Sequence, residues 1–231
     1  MDIEVCIESL EEAELAVRMG VKRVELCAAL ETGGLTPSAG MIAECCKKKI
    51  EVHVLIRPRS GDFVYSEAEL AVMKRDIEVS AKSGASGVVF GVLDLEHGID
   101  AEANQSLLDC ANSVKLESTF HRAIDIAKNP IDIMEKLISL GFTRILTSGQ
   151  QSVASEGIPL IGQMVKKAAG RIQIMAGSGV SEVNAQQLAE TGIDALHFSS
   201  RKKKHAKKLG LGYSYEPDPV KVSAIMKSLN K

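Results

Sequence analysis

Short aliphatic and β-branched runs recur along the chain. Each is followed by a polar loop and then by a segment whose apolar residues return every three to four positions. The runs predict strands over residues 3–7, 23–28, 50–57, 87–93, 115–121, 144–149, 171–177 and 195–200. The intervening periodicity predicts helices over 10–19, 66–83, 101–110, 130–140, 158–168, 181–190 and 219–229. Cap residues and closing glycines frame several of them: Ser9 to Gly20, Ser66 to Gly84, Asn129-Pro130 to Gly141, and Ser181 to Gly192.

Strands alternating with helices imply βαβ units and a parallel sheet. Eight units at about 29 residues each approach the minimum for a β/α pair. A single-domain (β/α)8 barrel spanning 1–231 is therefore expected, with the doubly wound open sheet as the alternative. No linker or low-complexity stretch interrupts the pattern.

Parity within the strands separates two faces, because successive side chains point to opposite sides. Val5, Val24, Val52, Val54 and Phe120 fall on one face. Glu4, Glu25, His53, Arg57, Glu117, His121 and His197 fall on the other. With helices covering the outside, the polar set is expected inside the barrel, where burial is costly unless charges pair. Such a set is either a functional pocket or a structural ion-pair network.

Composition adds boundaries. Aromatics make up only 3% and Trp is absent, so the core must be aliphatic. A net charge of −2 gives no drive toward nucleic acid or an anionic membrane. No apolar run is long enough to span a bilayer, and the acidic amino terminus does not read as a targeting signal. Five cysteines without a disulfide-rich composition suggest free thiols in a reducing, cytoplasmic setting.

In barrels of this kind chemistry gathers at the carboxyl ends of the strands. Arg57, Arg59 and Arg122 there suit recognition of carboxylate or phosphate. Asp62, Asp125 and Glu25 could orient them or act as bases, with His53 and His121 completing the candidate pocket. Gly177-Ser178-Gly179, after the seventh strand, is either an anion-binding loop or an ordinary tight turn.

Cys6 and Cys27 occupy matching places in a near repeat, Ile3-Glu4-Val5-Cys6 and Val24-Glu25-Leu26-Cys27. Neighbouring strands would bring their sulfurs to ~4–6 Å. That spacing allows one soft ion, Cu(I) or zinc, or a disulfide, or simply two small buried side chains. Cys45, Cys46 and Cys110 lie on helices and read as bystanders.

The strings VELCAALETGGLTPSAG, VLIRPRSGDFVYS, VVFGVL, TFHRAID, RILTSGQ and IMAGSGV, in this order, resemble the CutC copper homeostasis family over nearly the whole chain. The resemblance implies a cytoplasmic barrel that forms dimers or larger homo-oligomers, with Cu(I) as its ligand and Cys6 and Cys27 as the copper-binding pair. Ala176-Gly177-Ser178-Gly179 departs from a more glycine-rich family run, and Ile124 stands where Phe is expected. A second function class stays open: an enzyme acting on a small anionic, phosphorylated metabolite through Arg57, Arg59, His121 and the 177–179 loop. The basic run 201–208 reads as a solvated loop or a local polyanion contact.

Overall fold

The computed structural model describes residues 1–204 and 213–229. Eight parallel strands close into a barrel, each hydrogen-bonded to the next and the last to the first. They are β1 (Asp2–Ile7), β2 (Arg23–Leu26), β3 (Glu51–Leu55), β4 (Gly87–Phe90), β5 (Glu117–Phe120), β6 (Arg144–Thr147), β7 (Gln173–Gly177) and β8 (Ala195–Ser199). The helices are α1 (Leu10–Arg18), α2 (Ala39–Cys46), α3 (Glu67–Lys82), α4 (Ala101–Ser113), α5 (Pro130–Leu140), α6 (Ile158–Ala168), α7 (Ala185–Ala189) and α8 (Pro219–Ser228). The fold is thus the (β/α)8 barrel that the alternating pattern predicts.

The caps show how local chemistry starts these helices. Ser66 accepts from the Glu69 N–H, while the Glu69 carboxylate accepts from the Ser66 N–H, closing a capping box on α3. At α1 the Ser9 hydroxyl likewise accepts from the Glu12 N–H, but the Glu12 carboxylate accepts from the Glu8 N–H and from the Ser9 hydroxyl. Asn129 departs from expectation: it is left-handed, at φ 51°, and its side chain makes no cap bond, so Pro130 alone presets the first turn of α5. Helix α7 is also shorter than its periodicity suggests. Asn184 accepts from the Ser181 N–H and donates to the Gly179 carbonyl, and this turn delays the helix to Ala185.

A feature not anticipated is a two-stranded antiparallel pair after the barrel, β9 (Arg201–Lys203) with β10 (Tyr215–Pro217). It takes in the start of the basic run; residues 205–208 of that run lie outside the described residues.

The main core lies between sheet and helices. Val5, Val24, Val52, Val54 and Ile145 meet helix residues such as Ile42, Met73, Ile77 and Leu107. Phe90, Phe120 and Phe142 form an aromatic cluster within it. The barrel interior is different, with Leu55 and Val89 beside the two thiols and Leu146, Met175 and Ala195 on the other side. Other interior positions are polar and buried, including Glu4, Arg23, His53, Thr119 and Arg144. Glu117 differs from these: its parity is inward but it sits at the open amino-terminal rim with its side chain 52% exposed, paired to Arg144.

Candidate metal and ligand site at the barrel mouth

Two charged groups support the site from below. Arg23 and Glu4, on adjacent strands at matching register, form a fully buried ion pair. His197 on β8 lies opposite Glu4, with Nε2 3.7 Å from its carboxylate and 2.7 Å from that of Glu25. Arg23, Glu4, His197 and Glu25 therefore alternate in charge across three neighbouring strands, the pairing that a polar interior requires. Burial opposes a charge on His197. The Glu25 carboxylate, its hydrogen bond to the ring and the neighbouring Cys6 sulfur outweigh it and raise the imidazole pKa well above the ordinary histidine value.

Cys6 and Cys27 stand above this chain, with their sulfurs 3.7 Å apart and buried. Ligand atoms of Cys6, Cys27 and Glu25 all lie within 4.8 Å of one another, and those of Glu4, Glu25 and His197 do so as well. The thiol of Cys27 is pushed well above its usual value, first by burial, then by Cys6 and by the Glu25 and Glu4 carboxylates. Cys45, Cys46 and Cys110 are free and lie apart on the helical layer.

These groups open on a cavity of about 130 Å³, walled by Leu30, Leu55, Phe63 and Leu146 and reached by Arg57, His121 and Arg122. His121 accepts from the Ala123 N–H through Nδ1, which places its proton on Nε2, and Nε2 has no partner among the described residues. Burial first, and then Arg57, push its pKa down to about 3, so the ring is a neutral donor. Its ring packs against Phe63 with centroids 4.5 Å apart.

The other sequence candidates have different placements. Arg57 lines the cavity, but its guanidinium donates to the carbonyls of Thr32, Gly34 and Gly61, joining two mouth loops; its Nε has no partner among the described residues. Arg59 points away from the cavity. It is held by Glu69 at 2.5 Å and Asp62 at 2.9 Å and lies over Tyr65. Asp125 organises the β6 loop, accepting from Thr147, Ser148 and Gln150 while pairing with Arg122 at 2.8 Å. His53 lies deeper in the barrel, 3.7 Å from the Glu117 carboxylate, with neither ring nitrogen hydrogen-bonded among the described residues. Gly177, Ser178 and Gly179 make a tight turn in which Ser178 donates to the Ser152 carbonyl. Gly179 is required there, because at φ 66° a Cβ would meet Val153 at 2.6 Å.

Arg23, Arg144, Arg201 and Lys221 were not legible as site residues. Arg23 shares the parity of Glu25, so its inward direction was available from the sequence. Arg201 and Lys221 follow the last barrel strand, and only the folded chain returns them to the mouth.

Comparison with known proteins matches this geometry to a family. A sequence model described as the CutC family matches residues 1–202. A protein described as family protein CutC from Porphyromonas gingivalis is 48% identical over 203 residues, covering 87% of this chain and 81% of its own. Its counterpart in Glaesserella parasuis is 44% identical over 203 residues, covering 87% and 83%. The crystal structure of CutC from Streptococcus agalactiae superposes with a TM-score of 0.81 at 37% identity, covering 86% of this chain and 98% of that one. More distant barrels, such as phosphoribosylanthranilate isomerase from Pyrococcus furiosus at 15% identity and TM-score 0.60, share the fold alone. By a match over most of its length and by relatives above 40% identity, this chain belongs to the CutC family.

Proposed function

We propose that this protein binds Cu(I) between Cys6 and Cys27, in line with the copper homeostasis role suggested for its Streptococcus agalactiae relative. The observation that carries the reading is the pair of buried sulfurs 3.7 Å apart, Cys6 on β1 and Cys27 just past the end of the adjacent β2. Thiolates select soft cations, and the low-polarity walls of Leu30 and Leu55 keep competing water away.

The spacing also constrains the geometry. With metal–sulfur bonds of roughly 2.3 Å, sulfurs at this separation subtend an angle of roughly 107°. That angle suits a bent arrangement with a further ligand better than a linear pair. Glu25 lies within reach of both sulfurs and is available as that ligand, whereas His197, hydrogen-bonded to Glu25 and held protonated, would have to lose its proton to join. A harder cation such as zinc would draw on Glu25, whereas Cu(I) gains most from sulfur and nitrogen.

Because burial holds the Cys27 thiol protonated, the metal must displace its proton on binding. Affinity should therefore rise with pH, by about one decade per pH unit for each proton released. The test is an anaerobic competition titration of reduced protein with Cu(I) and a chelator at several pH values. The wild type should take up about one ion per chain through sulfur. Cys6→Ser/Cys27→Ser should lose that ion, while Cys45→Ser and Cys46→Ser retain it. An unchanged stoichiometry in the double variant would overturn the assignment.

A further inference from the structure

A second cavity, of about 350 Å³, adjoins the thiol cavity and shares Cys6, Leu30, Arg122 and His197 with it. Its far side is built by the 178–180 turn, by Arg201 just after β8 and by Lys221 on α8. None of these groups has a part in the copper reading above.

The chemistry of this far side is cationic, and its charges are incompletely answered. Arg201 pairs with Glu8 and stacks 3.8 Å over Tyr215; Arg122 pairs with Asp125 and donates to Ser148. Each keeps guanidinium donors beyond those bonds. Lys221 is half-buried, and its ammonium makes no hydrogen bond or ion pair among the described residues. Burial first, and repulsion from Arg201, hold its pKa below the ordinary lysine value, although Asp218 and Glu182 pull the other way. The backbone N–H groups of Gly179 and Val180 also lack acceptors among the described residues. A half-buried ammonium left without a partner beside a second cation is costly, and an anion in the cavity removes that cost.

We propose that this cavity binds the phosphoryl group of a small phosphorylated molecule, whose body extends across Leu30 toward Cys6 and His197. A dianionic tetrahedral group uses several converging donors at once, whereas a carboxylate offers one charge and a planar pair of oxygens. The volume exceeds what a bare ion needs, and the wall it shares with the thiol cavity at Cys6, Leu30 and His197 leaves room for a small polar body along that side. This places a ligand subsite beside the thiols without requiring a metal.

The test is calorimetric titration of metal-free, reduced protein with inorganic phosphate, ribose 5-phosphate, ribose and acetate. Saturable binding of phosphate and tighter binding of ribose 5-phosphate are expected, with no binding of ribose. Lys221→Met should weaken both phosphate ligands by about tenfold or more, the usual effect of removing a charged hydrogen-bond donor. Lys227→Met, which removes the same charge from an exposed turn of the same helix, should leave them unchanged. Circular dichroism of both variants establishes that they fold. The proposal is overturned by an absence of saturable phosphate binding at 10 mM ligand (about the weakest useful affinity), by acetate binding as tightly as phosphate, or by equal affinities in wild type and Lys221→Met. Because no copper is present, these outcomes are independent of the metal assignment.

Discussion

Three histidines sit inside one barrel, and their surroundings push them toward different protonation states. His53 is pushed down to about 4, chiefly by burial and then by Arg144 and Arg23, with Glu4 opposing. His197 is raised despite its burial, because Glu25 stands 2.7 Å away. The two therefore act on stability in opposite directions. For His53 the unfolded chain takes up a proton near pH 6.5 and the folded chain only near 4. Its contribution is complete above pH 6.5 and is lost as pH falls through that window, at about 1.4 kcal/mol per unit, or ~3 kcal/mol in all. For His197 the contribution is complete below pH 6.5 and is lost as pH rises toward its elevated folded value. Urea unfolding between pH 4.5 and 7 should show His53→Gln with a smaller gain in stability with rising pH than wild type. An identical slope in the two proteins would show that His53 is not held neutral.

At the level of elements, the interior histidines are matched by glycines on neighbouring strands. Gly87 on β4 pairs in register with His53 on β3, and a Cβ there would lie 2.5 Å from the imidazole. Gly177 on β7 pairs with His197 on β8, with a Cβ at 3.1 Å from its ring nitrogen. Gly91, just beyond β4, stands in the same relation to His121, at 2.9 Å. A closed barrel has no spare width, so a ring pointing inward needs a neighbour without a side chain. Gly87→Ala should cost about 1–3 kcal/mol through overpacking against His53. The double variant Gly87→Ala/His53→Ala should lose less than the two single changes added together, because the methyl then fills space the ring vacated. Chemical denaturation of the four proteins measures that coupling; strict additivity would remove the pairing argument.

For the molecule as a whole, closure is what protects the thiols. β1 pairs with β2 on one side and with β8 on the other, so Cys6 is enclosed only when the last barrel strand is in place. Cys6, Cys27 and Cys45 are buried, whereas Cys46 and Cys110 are partly accessible. In urea, the three buried thiols should become reactive to a thiol reagent at the midpoint where helical circular dichroism is lost, as expected of one cooperative unit. Reaction of Cys6 and Cys27 at clearly lower urea would show that the mouth opens separately from the barrel. The described residues contain no helix long and apolar enough to cross a membrane.

The alternation of strand and helix, the parallel sheet and the inward parity of Glu4, Glu25, His53 and His121 were all legible in the sequence. They depend on periodicity and local chemistry, and a period-two pattern decides which face a side chain takes wherever the backbone is extended. The closeness of Cys6 and Cys27 followed from the same parity once the two strands were taken as neighbours, and the structure places the sulfurs at 3.7 Å. Partner choice was not legible. Arg57 and Arg59 looked alike across Pro58, yet one ties mouth loops together through carbonyls and the other turns outward to Glu69 and Asp62. Nor could the sequence show Arg201 and Lys221 converging beside the 178–180 turn, or Glu117 sitting at an open rim. Such pairings depend on distances between residues far apart in the chain. Those distances exist only after the barrel has closed and the carboxyl-terminal helix has packed back against it.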